Sequence, residues 1–105
     1  MARLRLSAAA RRDLADIRRY SVREFGASVA DSYFRGFNGA FRLLRERPFA
    51  GAVAPDIRLE VRVLSYRRHR IFHRVAAGTV EIGRVLHHAQ DALEILRNQP
   101  IESDQ

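Results

Sequence analysis

A chain of 105 residues, 47% hydrophobic and 30% charged, has the makeup of one small folded domain: too apolar for a disordered segment, too short for two ordinary domains. It contains no cysteine, which excludes a disulfide framework, a zinc ribbon and a thiol nucleophile. The formal net charge is +7 and all nineteen basic residues are arginine. A GC-rich coding genome would give the same bias, but the physical consequence stands: permanently charged, planar guanidinium groups favour an acidic protein partner, a nucleic acid, or both.

Taken in chain order, Met1–Ser7 lacks the apolar run of a secretory leader, and nowhere does an apolar stretch approach the roughly 20 residues that span a bilayer. The expectation is a cytoplasmic chain with no membrane contact. Arg3–Leu6 alternates basic and apolar residues, a short strand with Leu4 and Leu6 on one face. Ser7 stands at an N-cap position, and from Ala8 the spacing turns helical, with Ala10, Leu14, Ile17 and Tyr20 or Ser21 forming one stripe. Arg11, Arg12, Asp16, Arg18, Arg19 and Arg23 occupy the other side, and Phe25-Gly26 closes the helix with Gly26 as a left-handed cap.

A second helix is predicted from Ser28, with Asp31 as its capping-box partner and Ala30, Tyr33, Phe34, Phe37, Phe41 and Leu44 as its stripe. Gly36 and Gly39 inside it read as points of close approach to the first helix. Pro48 ends the helix. Phe49–Asp56 reads as loop. Three strands follow: one with Leu59, Val61 and Val63 alternating against Arg58, Glu60 and Arg62, one over Arg70–Val75, and one over Thr79–Leu86, the last two joined at Ala76-Ala77-Gly78. Asp91 and Glu94 cap a short final helix, Ala92–Arg97. The order β-α-α-β-β-β-α predicts an α+β fold, an αα-hairpin packed on a small, mainly antiparallel sheet. Residues 1–100 are expected to form the single domain and 101–105 a frayed tail.

Several residue patterns, in this order, resemble the ParE toxins of the RelE/ParE superfamily. They are Asp13-Leu14, Ile17 and Tyr20; Ala30, Tyr33 and Phe37; Leu44, Pro48 and Gly51; Arg62; His69-Arg70-Ile71-Phe72-His73; and Arg84-Val85-Leu86-His87 with Asp91. The resemblance runs from about Leu4 to Leu96 and departs at His73, where the family usually has tyrosine. It implies a toxin of a type II toxin–antitoxin system that binds DNA gyrase, stops replication, and is neutralised by a cognate antitoxin with an acidic, amphipathic C-terminal segment. Arg11, Arg12, Arg18 and Arg19 on the first helix, with Arg62, Arg70 and Arg84, are the candidates to meet that segment's acidic residues.

Arg62, Arg70 and Arg84 fall on three predicted strands and could converge on one surface. Arg84 shares the register of Val80, Ile82 and Leu86, so it should point to the apolar face or its rim. There it needs either an internal acid, with Glu60 or Glu81 in reach, or an anionic ligand. His87, at the end of the last strand, is either a strand-end residue bonded to the chain or a general acid/base. The second option belongs to an alternative reading, a RelE-type, metal-free, ribosome-dependent mRNA endoribonuclease using His87, Arg62, Arg70 and Arg84. Against it, the resemblance implies lysines on the early sheet and a late Tyr or His; this chain has no lysine, and no tyrosine after Tyr66. A third possibility is a toxin without activity that still binds its antitoxin. The adjacent His87 and His88 cannot face one ligand from a strand, so no metal site is expected, and no cofactor motif is present. Direct nucleic-acid binding stays open: Tyr66-Arg67-Arg68-His69-Arg70 is either a solvated hairpin tip or an RNA-holding cluster.

Overall fold

Leu4 and Leu6 alternate with Arg3 and Arg5, and this segment forms strand β1 (Arg3–Leu6). The computed structural model describes residues 1–54, 57 and 60–98. Ser7 turns the chain from strand to helix: its hydroxyl accepts the Ala10 N–H at 2.9 Å and donates to the Gly83 carbonyl at 2.8 Å. The same side chain therefore caps α1 (Ala8–Phe25) and ties it to the sheet. Of the two candidates for the stripe's end, Ser21 is buried and Tyr20 is exposed.

Gly26 is at once the C-cap of α1 and the N-cap of α2 (Ala27–Glu46). Its φ of 87° is open to glycine, but its ψ of 165° is not that of the left-handed cap expected from sequence. The result is a one-residue corner. The second helix consequently starts at Ala27 rather than Ser28 and has no side-chain cap; Asp31 instead takes the Arg18 guanidinium at 2.5 Å. Arg47, out of helical geometry before Pro48, ends the helix as predicted.

After α2 come β2 (Ala52–Val53), β3 (Arg62–Tyr66), β4 (His69–Ala76), β5 (Thr79–His87) and α3 (Ala92–Arg97). The sheet order is β1-β5-β4-β3-β2. β1 runs parallel to β5 and the other neighbours are antiparallel. The two-residue β2 escapes a reading by periodicity, because two residues carry no period. β3 starts four residues later than its alternation suggested; Arg58 and Leu59, like the expected tail at 101–105, lie outside the described residues.

The sheet is covered on both faces. On one, the helical hairpin buries Ala10, Phe37, Leu44, Ile71, Val80, Ile82 and Val85. On the other, α3 closes over Val61, Phe72 and Leu86 with its own Ala92 and Leu96. Burying side chains such as Phe37, Leu44 and Ile71 contributes roughly 1.5–3 kcal/mol each. A bulge between Phe72 and His73 sets Phe72 opposite Arg84 and His73 opposite Ile82, leaving Gly83 unpaired. The bulge also overturns the predicted register: Arg84 does not share a face with Val80 and Ile82, because the alternation slips by one at Gly83.

The two helix glycines do not face α1 as expected. A Cβ on Gly36 would lie 1.8 Å from the Tyr66 hydroxyl, whereas one on Gly39 would meet nothing within 4 Å. Gly36 therefore makes room for Tyr66 of β3, whose hydroxyl donates to the Tyr33 carbonyl at 2.8 Å. Gly36→Ala must expel that ring and is expected to cost about 1–3 kcal/mol, while Gly39→Ala should add up to about 1 kcal/mol through helix propensity. Urea unfolding of the two variants should move the midpoint in opposite directions.

Candidate functional site

The three sheet arginines singled out by sequence do not converge on one anion site. Arg62 bends back to the end of the α2–β2 connection: it donates to the Phe49 carbonyl at 3.1 Å, and its guanidinium sits 5.4 Å from the Phe49 ring centre. Arg70 donates to the Gln90 carbonyl at 2.9 Å, fastening the β5–α3 turn, and lies over Phe72.

Arg84 does form an internal ion pair, but with neither Glu60 nor Glu81. Its partner is Asp13 of α1, with Nε and Nη2 at 2.8 and 2.9 Å from the two carboxylate oxygens. Asp13 also accepts the Val85 backbone N–H at 2.9 Å. This N–H lies beyond Leu6↔Ile82, the last β1–β5 pair, so the carboxylate takes over where β1 ends. Both side chains are mostly buried, at 17% and 13% exposure. The sequence carried a signal for this: Asp13 falls between Ala10, Leu14 and Ile17 on the apolar stripe, where a carboxylate needs a buried partner. Glu81 meanwhile pairs with Arg5 and Arg74 on the face opposite the hairpin.

The four histidines fall into two settings. His69, His87 and His88 gather where β4 begins and β5 ends, with His69 and His87 ring centres 5.4 Å apart. Tyr33 Oη lies 2.7 Å from His69 Nδ1, a link between α2 and β4 that sequence reading missed. Burial, with His87 and His88 adding, lowers the His69 pKa to about 4. His87 acts as a strand-end residue: its Nδ1 accepts the Ala89 N–H at 3.1 Å, and its own N–H donates to Gln90 Oε1 at 2.8 Å. Partial burial, then the charges of His88, Arg68 and Arg70, lower its pKa. Asp91 caps α3 by accepting the Glu94 N–H. Among the described residues no three His, Asp or Glu side chains gather as metal ligands would.

His73, in the second setting, is 2% exposed, and neither ring nitrogen has a hydrogen bond of normal geometry. It borders a cavity of about 30 Å³ beneath α3, with Arg5, Arg74 and Glu81 also in its lining. Burial is the main cause that lowers its pKa to about 4; the Arg62 charge adds to it and the Ala50 backbone opposes it.

The outward side of the helical hairpin is the exposed arginine surface. Arg11 donates to the Leu6 carbonyl at 2.8 Å, Arg18 pairs with Asp31, Arg19 pairs with Asp16, and Arg12 is exposed. Large apolar side chains stand out at the corner beside them: Tyr20 at 53%, Phe25 at 60% and Val29 at 52% exposure. Arg23 lies over the Tyr20 ring. Solvent-exposed ion pairs of this kind are worth little and exchange readily for a partner's carboxylates.

A ParE toxin family model, described as the toxin of the parDE type II toxin–antitoxin system, matches residues 4–92. Toxin ParE1 of Caulobacter vibrioides is 35% identical over 88 residues, covering 84% of this chain and 91% of its own. Toxin ParE1 of Mycobacterium tuberculosis is 33% identical over 87 residues, covering 82% and 89%. The fold is also that of a solved chain from the chromosomal ParDE system of P. aeruginosa, with a TM-score of 0.72 at 22% identity, covering 83% of this chain and 96% of that one. The chain belongs to the ParE toxin family of type II toxin–antitoxin systems.

Two outcomes follow from this geometry. Asp13→Ala strands a mostly buried guanidinium and the Val85 N–H, and is expected to cost about 3 kcal/mol; adding Arg84→Met should recover part of the loss, which a double-mutant cycle in urea measures. His73 takes up a proton near 6.5 when unfolded and only near 4 when folded. Its contribution is therefore complete above about pH 6.5 and fades as pH falls toward 4, a loss of about 2 kcal/mol by pH 5. Unfolding midpoints across that window should drop in the parent chain and drop less in His73→Leu.

Proposed function

We propose that this chain acts by binding rather than by catalysis: it inhibits DNA gyrase and so stops replication, and a cognate antitoxin neutralises it. The observation that carries this reading is the makeup of the hairpin's outer side. Tyr20, Phe25 and Val29 stand exposed beside Arg11, Arg12, Arg18, Arg19 and Arg23, the mixture of aromatic anchors and arginines typical of protein interfaces. An acidic, amphipathic antitoxin segment that folds on binding would replace the weak intramolecular ion pairs along α1 with its own carboxylates. The structural relative from P. aeruginosa comes from a toxin–antitoxin system, which supports a partner of that kind. Arg62 and Arg70 hold turns and Arg84 holds α1, so the antitoxin's main contacts are assigned to the four α1 arginines. Arg84→Glu would test folding before it tested any interface. No helix among the described residues is long and apolar enough to cross a membrane.

One observation favours a second reading, ribosome-dependent mRNA cleavage without a metal. A depressed pKa keeps His87 neutral near pH 7, able to accept a proton, and Arg68 and Arg70 stand near it. A gyrase supercoiling assay separates the two. Purified chain should abolish supercoiling and added antitoxin should restore it, and Phe25→Ser should weaken the inhibition while leaving the fold intact. Unimpaired supercoiling by a folded chain that still arrests growth would transfer the function to the ribosome, and a non-toxic His87→Ala would then identify the proton carrier.

A further inference from the structure

Where β4 begins and β5 ends, three strands carry one ring each in a single row. The register sets Tyr66 of β3 opposite His69 of β4, and His69 opposite His87 of β5. His88 extends the row: it is exposed, and its ring stacks on that of His87 with centres 4.5 Å apart. The turn between β3 and β4 is Arg67-Arg68, both exposed, at this same end. His88 N–H donates to the Arg68 carbonyl at 2.8 Å, which ties the turn to the end of β5. Arg67 lies over the Tyr66 ring, and Arg70 stands next to His69 on β4.

Charge at this end is of one sign. Arg67, Arg68 and Arg70 take no part in the ion pairs among the described residues, which use Arg5, Arg18, Arg19, Arg23, Arg74 and Arg84. Asp91, the nearest acid in sequence, is engaged in capping α3. Partial burial, and then the charges of His88, Arg68 and Arg70, hold the His87 pKa below the ordinary imidazole value, so the cations already crowd one another. The large apolar side chains that stand exposed among the described residues all lie between Met1 and Val53. None is on β3, β4, β5 or the turns that join them. A protein-binding surface centres on apolar anchors within a polar rim. Guanidinium groups and ring faces without such anchors suit a polynucleotide, whose phosphates take the charge and whose bases stack on the rings.

We infer that this end of the sheet holds single-stranded DNA, with phosphates on Arg67 and Arg68 and a base laid against the His88 ring. Arg70 is committed to the Gln90 carbonyl and adds its field. A duplex keeps its bases stacked on one another and has none to offer the ring. The inference rests on the reading above that the target is DNA gyrase, an enzyme that works on this polymer. It adds a contact with the DNA to the contact with the enzyme.

The test uses the full chain and a fluorescein-labelled DNA strand of about twelve nucleotides. Anisotropy should show saturable binding whose affinity falls with salt at a log–log slope of about −1.4, the value for two phosphates of a single strand. Arg67→Asn/Arg68→Gly removes both charges with residues that two-residue turns favour, so circular dichroism should match the parent while binding weakens about tenfold or more. Arg3→Gln/Arg42→Gln removes as much charge at the other end of the sheet and should leave the affinity within about twofold. His88→Ala should weaken the intact strand about fivefold or more and leave an abasic strand unaffected. Equal losses from the two arginine pairs reduce the binding to diffuse attraction and overturn the site. An intact strand indifferent to His88→Ala, or tighter binding of the duplex, overturns the base contact and with it the choice of a single strand. Tighter binding of RNA of the same sequence assigns this end to RNA and overturns the inference too. A chain that binds the strand yet leaves supercoiling untouched keeps the site and loses the gyrase reading, whereas one that inhibits gyrase and binds no strand loses the site alone.

Discussion

The Asp13 carboxylate holds the two layers of this protein in register. It bonds the Arg84 fork and the Val85 N–H at once, so a single side chain on α1 fixes both the height and the rotation of the helix against β5. With α1 fixed, Gly26 turns α2 back at a sharp corner, and the aromatic stripe of α2 falls onto β3 and β4. The charge pair is costly to bury, which makes its value specific rather than large: any other seating of the helix leaves an unpaired ion in an apolar contact. The bulge at Gly83 is the counterpart on the sheet. Without that extra residue Arg84 would turn to the hairpin side, into the cluster that Val80, Ile82 and Val85 share.

Much of the fold was legible because it is written in period and punctuation. Leu4 and Leu6, the stripe from Ala30 to Leu44, and the D-x-x-E cap at Asp91 each specify an element by local chemistry alone, and β1, α1 and α3 appear within the limits read from sequence. What was not legible depends on neighbours distant in the chain. A bulge inserts one residue with no mark in the sequence, so Arg84 was read in the register of Val80 and Ile82, although its guanidinium still reaches the rim of the hairpin at Asp13. The role of Gly36 depends on Tyr66, thirty residues later, and a lone glycine does not say which element comes close. The candidate site divides along the same line. The α1 arginines are exposed as their helical positions require, whereas the strand arginines were assumed to act together on the grounds of charge alone. Each is bound to a different carbonyl or carboxylate near it.

The histidines show how burial redistributes chemistry among identical side chains. His73 is enclosed with no hydrogen bond of normal geometry to either ring nitrogen, and burial favours its neutral form. His69 is held by Tyr33 in a stack of rings that joins the end of the sheet to α2. His87 keeps an open side, yet its ring nitrogen is already used in the turn that leads to α3. The residues that look most reactive in the sequence are thus largely structural, and the exposed chemistry of the surface is that of guanidinium groups and aromatic rings.

The pairing of β1 with β5 has a consequence for the order in which the chain is made. Arg3–Leu6 is made before its strand partner, Thr79–Ile82, and Asp13 before its partners Arg84 and Val85. Until those residues are synthesised, the helical hairpin exists without the sheet that covers its apolar stripe, and the non-local contacts cannot close. Assembly of the two layers is therefore deferred until Arg84 and Val85 have been made. Until then the apolar stripe of the hairpin is open to any other surface that can cover it.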